Sequence, residues 1–240
     1  MNNRIKTFIP GLDEMLKGGL REGTNVLITG SPGTGKTLLG IQFILEGAKN
    51  GDAGVYITCE ETVEDIRDYA EAIGYNIRSL EKKGLVTLIK QPISAKKLMT
   101  IATPLSVIES KSVKRVVLDS ITLFGFVHAS GEMDYRKEVL DFVLRMKESK
   151  VNLLVISEKS ISNIDNIRYD TEDFLFDGLI ILAKIRKGAS FERCVMISKM
   201  RGQDHLFDLF PFSIDKSGLK IFPKQMPFSL IEKDEKSRWQ

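Results

Sequence analysis

A glycine-rich segment at residues 30–37, which reads Gly-Ser-Pro-Gly-Thr-Gly-Lys-Thr, constrains the fold more than any other feature of this chain. It fits the pattern G-x-x-x-x-G-K-[S/T], with a short apolar run before it and an apolar-periodic segment after it. The glycines let the backbone curl so that successive N–H groups point inward, and the following helix adds its positive end. The sequence therefore predicts a strand, a phosphate-binding loop and a helix. Lys36 would reach the β- and γ-phosphates of a nucleotide, and the Thr37 hydroxyl would bind Mg²⁺.

The rest of the chain alternates short apolar runs with helical patterns, which is typical of an α/β fold. Strands that are apolar throughout indicate a mostly parallel central sheet with helices on both faces. After residue 178 the apolar runs are separated by turns too short for helices, so we expect antiparallel strands at the C-terminal edge of the sheet. The predicted strands are residues 26–29, 55–59, 86–89, 115–118, 151–156, 179–185, 194–199 and 212–214. Besides the helix after the loop, the predicted helices are one of about two turns within residues 9–23, then 62–73, 94–110 with a kink or break at Pro104, and 134–149. In the first of these, Leu12, Met15, Leu16 and Leu20 would form the apolar side, and Gly18-Gly19 would end the helix.

The composition limits the classes of protein to which the chain can belong. With 240 residues, 42% of them hydrophobic and 28% charged, it suits one soluble domain at residues 1–223 and a polar tail at residues 224–240. The net charge of +3 does not by itself indicate nucleic-acid binding. Cys59 and Cys194 are expected to be buried thiols of a reducing compartment. Without an apolar signal core or an apolar stretch of ~20 residues, we expect a cytoplasmic protein with no membrane contact.

Polar residues follow several predicted strands, at the end where a parallel sheet places its ligands. Asp119 is the carboxylate expected to bind Mg²⁺ through its waters, although an acid after a strand can also cap a turn. Either Glu60 or Glu61 would orient and deprotonate an attacking water, while the other would lie in the first turn of the next helix. Spacing alone does not choose between them.

An ordered series of motifs along the chain adds information that spacing does not supply. Together the motifs resemble those of the KaiC-like branch of the RecA-superfamily ATPases, and the resemblance runs from about residue 7 to residue 223. The motifs are PGLDEML at residues 10–16, GGL at 18–20, the glycine-rich loop, EET at 60–62, LDS at 118–120, KMRG at 199–202 with His205, and PF at 211–212.

The resemblance implies a RecA-like P-loop core that uses ATP and Mg²⁺ and assembles as a homo-oligomeric ring, usually a hexamer, with ATP between subunits. Glu60 matches the catalytic base of the family, and Lys199 and Arg201 match residues that reach the γ-phosphate from the adjacent subunit. The same neighbour is implied to touch the sugar or base of the nucleotide. The implied nucleotide contacts are Gly30, Ser31, Pro32, Gly33, Thr34, Gly35, Lys36, Thr37 and Leu38 in the loop and helix, and Met200, Gln203, His205, Asp215 and Lys216 from the neighbour.

The leading hypothesis is an ATPase whose hydrolysis changes its shape or its partners, with a regulatory or signalling role. A second hypothesis is a DNA-associated recombination or repair ATPase, in which the loops after Leu123 and Ser160 face the centre of the ring. A third is a scaffold that binds ATP, hydrolyses little of it and recruits an unidentified protein. Residues 172–177 contain no Ser-Thr pair, so we expect none of the autophosphorylation of the two-domain clock members of the family.

Overall fold

The computed structural model describes residues 4–91, 102–110, 112–121, 132–161, 164 and 166–228. Within these ranges a central sheet of nine strands is covered by helices, and two further short strands pair near the N-terminus. The strands are β1 Arg4–Ile5, β2 Leu20–Arg21, β3 Asn25–Gly30, β4 Gly54–Thr58, β5 Val86–Lys90, β6 Arg115–Asp119, β7 Asn152–Glu158, β8 Gly178–Lys187, β9 Ser190–Met200, β10 Phe210–Asp215 and β11 Gly218–Ile221. The helices are α1 Leu12–Met15, α2 Lys36–Lys49, α3 Val63–Ala72, α4 Ile77–Lys82, α5 Ala102–Ser110 and α6 Glu132–Glu148, with a 3₁₀ turn at Thr171–Phe174.

The strand order across the large sheet is β11-β10-β9-β8-β3-β7-β6-β4-β5. The neighbouring pairs β8-β3, β3-β7, β7-β6, β6-β4 and β4-β5 are parallel, whereas the pairs β8-β9, β9-β10 and β10-β11 are antiparallel. This confirms the predicted α/β fold, with a mostly parallel sheet and antiparallel strands at the C-terminal edge. The first strand of the predicted antiparallel group, β8, belongs to both parts, because it is parallel to β3 and antiparallel to β9.

Two apolar layers hold the helices against the two faces of the sheet. On one face α2 buries Phe43, and on the other α6 buries Phe142 and Met146. Successive side chains of a strand point to opposite faces, so β3 contributes Ile28 to the first layer and Leu27 to the second. Burial on both faces explains why the central strands lack the alternation of polar and apolar residues.

The first predicted helix, of about two turns, is the single turn α1. Gly18 and Gly19 have φ angles of 113° and 105°, which lie in the left-handed region that ends a helix. A side chain at Gly19 would also place its Cβ 2.4 Å from the Ile5 carbonyl oxygen. The chain therefore turns back, and Leu20 pairs with Ile5 between β2 and β1 instead of extending the apolar side of the helix.

The remaining differences concern short elements. The helix α4 and the strand β11 were not predicted from the sequence. Of the helix predicted at residues 94–110, the described part forms α5, and Pro104 lies in its first turn, where proline is tolerated. Residues 94–101 and most of the loop after Leu123 lie outside the described residues. None of the described helices is both long enough and apolar enough to span a membrane.

Candidate nucleotide-binding site

The glycine-rich loop lies between the end of β3 and the start of α2, at the carboxyl edge of the parallel strands. Gly30 comes so close to β8 that an added Cβ would lie 2.2 Å from the Leu182 carbonyl oxygen. Gly35 has a φ of 103°, and its Cβ would lie 2.6 Å from Ile214 Cδ1. Neither position accepts a side chain, so the predicted strand, loop and helix follow one another with the glycines where the backbone requires them.

Lys36, the first residue of α2, turns its ammonium group back into the loop. Nζ donates to the carbonyl oxygens of Gly30 at 2.9 Å and Ser31 at 3.2 Å, and it lies 3.8 Å from Glu158 Oε1. Burial lowers the pKa of Lys36, and the carboxylates of Glu158 and Asp119 oppose this shift. A buried cation beside the N–H groups of such a loop suits an anionic ligand.

Asp119 ends β6, and its carboxylate meets the start of α2. Thr37 Oγ1 donates to Asp119 Oδ2 at 2.8 Å, and the Tyr56 hydroxyl donates to the same oxygen at 2.7 Å. Burial raises the pKa of Asp119, and the hydrogen bonds from Tyr56 and Thr37 oppose that shift. The two residues that the sequence assigns to Mg²⁺, Thr37 and Asp119, are therefore in direct contact.

The two glutamates after β4 have different partners. Glu60 Oε1 accepts a short hydrogen bond from the Ser120 hydroxyl, which holds this carboxylate next to the residue that follows Asp119. The Glu61 side chain lies near Tyr69 of α3: burial, followed by the charge of Glu61, raises the pKa of the Tyr69 hydroxyl. The geometry therefore groups Glu60, and not Glu61, with the expected metal-binding residues.

Neither glutamate lies in the helix that follows. Thr62 is the N-cap of α3, and it exchanges hydrogen bonds with Asp65 in a capping box. The acids of the first turn are Glu64 and Asp65. The expectation that Glu60 or Glu61 occupies that turn is therefore wrong, because the helix begins two residues later than Glu61.

A cavity of ≈ 210 Å³ opens at this edge of the sheet and joins these side chains. Both glutamates border it, together with much of the loop. Four of the expected loop contacts, Gly30, Ser31, Pro32 and Thr34, do not line the cavity. The lining residues are Gly33, Gly35, Lys36, Thr37, Leu38, Glu60, Glu61, Asp119, Ser120, Ile156 and Glu158.

Three residues around the loop were missed from the sequence. Tyr56 on β4 donates to the carboxylate that ends β6, Lys90 at the end of β5 donates to backbone carbonyls of residues 59–61, and Lys184 on β8 donates to the Pro32 carbonyl oxygen at 2.9 Å. The available signal was weak: a charged or hydroxyl-bearing side chain within or at the end of an apolar strand.

The strand β9 ends near the amino ends of the parallel strands, whereas the phosphate-binding loop lies at their carboxyl ends. Met200 lies opposite Gly178, which is level with Val26 near the start of β3, whereas the loop begins at Gly30. At ~3.3 Å per residue, the two levels are about 13 Å apart along β3. Residues next to Met200 therefore lie far from the loop of their own chain.

Lys199 and Arg201 flank Met200 near the amino ends of the parallel strands. Lys199 Nζ donates to the Asp173 carbonyl oxygen at 2.8 Å. Burial, followed by the charge of Arg201, lowers the pKa of Lys199. Met200 itself is buried, so its side chain packs in the core.

Gln203 and His205 lie beyond β9 and are held by their own chain. The Gln203 amide accepts a hydrogen bond from the Arg21 backbone N–H at 3.0 Å. It also donates to the carbonyl oxygens of Leu16 at 3.3 Å and Gly19 at 3.1 Å. His205 is 5% exposed. Within this chain, the Gln203 side chain therefore serves the backbone near β2.

Asp215 and Lys216 lie at the same edge as the phosphate-binding loop. Asp215 ends β10 and Lys216 begins the turn to β11; both follow Ile214, which approaches Gly35. Asp215 accepts a hydrogen bond from the Ser217 backbone N–H at 2.7 Å. The contacts that the resemblance assigns to one neighbour thus lie in two places. Asp215 and Lys216 lie beside the chain's own loop, whereas Lys199 and Arg201 lie near the amino ends of the parallel strands.

Comparisons with known proteins agree with the fold and the loop. The family model described as "ATPase: KaiC" matches residues 5–226. The circadian clock oscillator protein KaiC of Picosynechococcus sp. is 31% identical in an alignment of 230 residues that covers 92% of this chain and 44% of that protein. KaiC of Nostoc sp. is 32% identical in an alignment of 231 residues that again covers 92% of this chain and 44% of that protein. The chain therefore spans less than half the length of these relatives.

A solved structure supports the same relationship. A KaiC-like protein from the hyperthermophilic archaeon Pyrococcus horikoshii OT3 superposes with a TM-score of 0.79 at 32% sequence identity. The match covers 93% of this chain and 100% of that one, and it confirms the RecA-type α/β architecture. With a family model that covers most of its length, the chain belongs to the KaiC ATPase family.

Proposed function

We propose that this chain binds ATP with Mg²⁺ and hydrolyses it at sites between the subunits of a homo-oligomeric ring, as a regulatory or signalling ATPase. One observation carries the proposal. Thr37 of the loop and Asp119 of β6 meet at 2.8 Å, and the Glu60 carboxylate, held by Ser120, lies beside them. Four side chains from three separate parts of the sequence thus line one cavity.

The residues present suit Mg²⁺, because hydroxyl and carboxylate oxygens are ligands that this ion prefers. When bound, the ion would neutralise charge on the phosphates. The N–H groups of the loop would bind the phosphate oxygens, and Lys36 would neutralise the β- and γ-phosphates. Glu60 would orient a water molecule and accept its proton, while the Ser120 hydroxyl keeps the carboxylate in place.

A second cationic group is needed for the charge that develops on the γ-phosphoryl oxygens. Lys199 and Arg201 of an adjacent copy would supply it, since in their own chain these residues lie near the amino ends of the parallel strands, away from the loop. Such a head-to-tail contact forms a ring when its rotation closes after a whole number of subunits. The resemblance to the family favours six subunits.

Two further proposals concern the whole chain. We assign the ATPase domain to residues 1–223 and a polar tail to residues 224–240. We also assign a cytoplasmic location, which the free, buried thiols of Cys59 and Cys194 support. Burial raises the pKa of each thiol to about 12, so neither is poised to react.

The substitution Glu60→Gln tests the catalytic assignment. The amide keeps the size of the side chain but cannot accept a proton from water. Turnover, measured as phosphate release, should fall by ~10²-fold or more, the usual size for a lost general base. Affinity for a fluorescent ATP analogue should not change, because the phosphate-binding loop is intact.

Glu61→Gln is the matched comparison, one residue further along, and should retain most of its turnover. Unchanged turnover in Glu60→Gln would move the role of base to another residue. A wild-type protein that binds ATP but releases no phosphate would favour the scaffold hypothesis. A protein with no affinity for ATP would overturn the proposal.

A further inference from the structure

The tyrosine in the middle of β4 makes a contact that the fold alone does not require. Tyr56 is 1% exposed, and its hydroxyl donates to Asp119 Oδ2 at 2.7 Å. Thr37 Oγ1 donates to the same oxygen at 2.8 Å. One carboxylate oxygen of Asp119 therefore accepts two protein hydrogen bonds from two different elements.

This double contact divides the carboxylate of Asp119 into two functionally different oxygens. Oδ2 is engaged by Thr37 and Tyr56, so its acceptor capacity is used by the protein. Among the described residues, the side-chain hydrogen bonds to Asp119 go to Oδ2, which leaves Oδ1 as the acceptor for a metal ion or for a water bound to it. A carboxylate held at one oxygen from two sides also cannot rotate about its Cβ–Cγ bond without breaking both hydrogen bonds.

The ring of Tyr56 is fixed by its surroundings. In the sheet register Tyr56 lies level with Val117 of β6, two residues before Asp119. On the other side α2 approaches through Gly40, where an added Cβ would lie 3.4 Å from Tyr56 Cε2. The aromatic ring is thus enclosed between the sheet and α2, which holds its hydroxyl in place beside the Asp119 carboxylate.

We propose that Tyr56 is a positioning residue for the metal ion of the bound nucleotide: by holding Asp119 Oδ2, it presents Oδ1 to Mg²⁺. The inference rests on the proposed function and extends it to a residue with no place in the phosphate-binding loop. Partners that orient metal-binding carboxylates in this way typically contribute 10-fold to 100-fold to metal affinity or activity, which gives the expected size as an order of magnitude.

Tyr56→Phe removes the hydroxyl oxygen and keeps the ring that fills the space. The probe is Mn²⁺, a substitute for Mg²⁺ whose binding is followed by electron paramagnetic resonance in the presence of ADP. Mn²⁺ affinity should fall by about 10-fold to 100-fold. Affinity for ADP without metal should stay at the wild-type value, because the hydroxyl that is lost donates to Asp119 and not to the phosphate-binding loop.

Tyr75→Phe is the matched control. The Tyr75 hydroxyl also donates to a carboxylate, Glu46 Oε1, at 2.6 Å, and Tyr75 is 5% exposed. The same atom is lost from the same type of contact, but the partner Glu46 lies nine residues further along α2 than Thr37, the residue that meets Asp119. Tyr75→Phe should bind Mn²⁺ as the wild type does, and the melting temperatures of both variants report any general loss of stability.

Three results would overturn the inference. Wild-type Mn²⁺ affinity in Tyr56→Phe would mean that Asp119 needs no such partner. An equal loss of Mn²⁺ affinity in Tyr75→Phe would mean that the effect is general. A wild-type protein with no ADP-dependent Mn²⁺ binding would overturn the proposed function as well, whereas the first two results leave that function standing.

Discussion

Lys90 at the end of β5 points its ammonium group at the segment that follows the neighbouring strand. Nζ donates to the carbonyl oxygens of Cys59 at 3.0 Å, Glu60 at 2.8 Å and Glu61 at 3.0 Å. An ammonium group has three hydrogens, so each has one carbonyl acceptor here. A single side chain therefore fixes the backbone from which the proposed base extends.

Lys90→Met should lower turnover without weakening nucleotide binding. Methionine keeps most of the length of the side chain but removes the donor that the three carbonyls share, so the backbone at Glu60 is held less firmly. The Glu61 carbonyl keeps its hydrogen bond from the Thr58 hydroxyl at 2.9 Å. We expect turnover to fall by about 10-fold, less than the ~10²-fold that a displacement of 1 Å can cost in an active site. The readouts are phosphate release and the rate of amide hydrogen exchange at residues 59–61, which should rise.

Lys83→Met is the control for lost charge, because Lys83 is an exposed lysine at the C-terminus of α4. It should leave both readouts unchanged. If Lys90→Met retained wild-type turnover while exchange at residues 59–61 rose, the backbone contact would be structural only.

The site residues that the sequence predicted are those fixed by local pattern. The loop glycines and Lys36 occupy set positions in a continuous motif, and Asp119 ends an apolar strand. Tyr56 and Lys90 were missed because their contacts depend on the order of the strands. Tyr56 reaches a carboxylate 63 residues away only because β4 lies beside β6, although β5 follows β4 in the chain.

At the scale of elements, the packing of α2 on β6 depends on a glycine inside a helix. Arg115 opens β6 and is fully buried, with Nη2 2.6 Å from Asp52 Oδ2. Its Nη1 donates to the Phe43 carbonyl oxygen at 3.3 Å, so the guanidinium crosses directly under α2. An added Cβ at Gly47 would lie 2.1 Å from Arg115 Nε.

Gly47→Ala should destabilise the protein, against the intrinsic preference of the helix. Alanine is favoured over glycine within a helix by about 1 kcal/mol. Here the methyl group would displace a buried guanidinium that is paired with Asp52, and overpacking of this kind typically costs about 1–3 kcal/mol. Unfolding by urea should show a lower midpoint with an unchanged slope.

Gly51→Ala separates space from backbone conformation. An added Cβ at Gly51 has no atom within 4 Å, but its φ is 91°, so the cost there is backbone strain alone. A Gly47→Ala protein as stable as the wild type, or more stable, would show that Arg115 can move aside.

Elements were predictable where burial gave a clear period. The central strands and α6 were found because they are long and strongly apolar on their buried faces. The helix α4 has six residues with only Ile77 buried, so it gave little signal. α1 was extended in error because Leu12, Leu16 and Leu20 have helical spacing, although the glycines before Leu20 reverse the chain.

For the whole molecule, the two ends of the parallel strands carry complementary halves of the proposed site. The loop, Glu60 and Asp119 lie at the carboxyl ends of the parallel strands, and Lys199 and Arg201 lie near their amino ends. Sequence order could not reveal this separation, because it follows from the antiparallel direction of β9. Under the proposed function, a subunit has an incomplete site on each side and needs a second copy to complete either one.

Mixing two inactive variants tests this division directly. Glu60→Gln damages the loop side of a subunit, and Arg201→Ala damages the opposite side. In a mixed ring, a complete site forms where an Arg201→Ala subunit offers its intact loop side to the Arg201 of a Glu60→Gln neighbour. With equal amounts and random order this occurs at about one quarter of the contacts, so turnover should recover to about one quarter of wild type if the sites act independently.

The control for mixing pairs Glu60→Gln with Asp119→Asn, because both changes lie on the loop side and no arrangement restores a complete site. The rings are obtained by co-expression with two different tags and purification through both, and light scattering with and without Mg-ATP gives their mass. Recovery in the first mixture but not in the second would mean that Glu60 and Arg201 act from different subunits. If mixed rings form and neither mixture recovers, or if Arg201→Ala alone hydrolyses ATP as wild type does, the cation that serves the γ-phosphate comes from elsewhere. Lys184, which already contacts the loop of its own chain through Pro32, would then be the residue to change next.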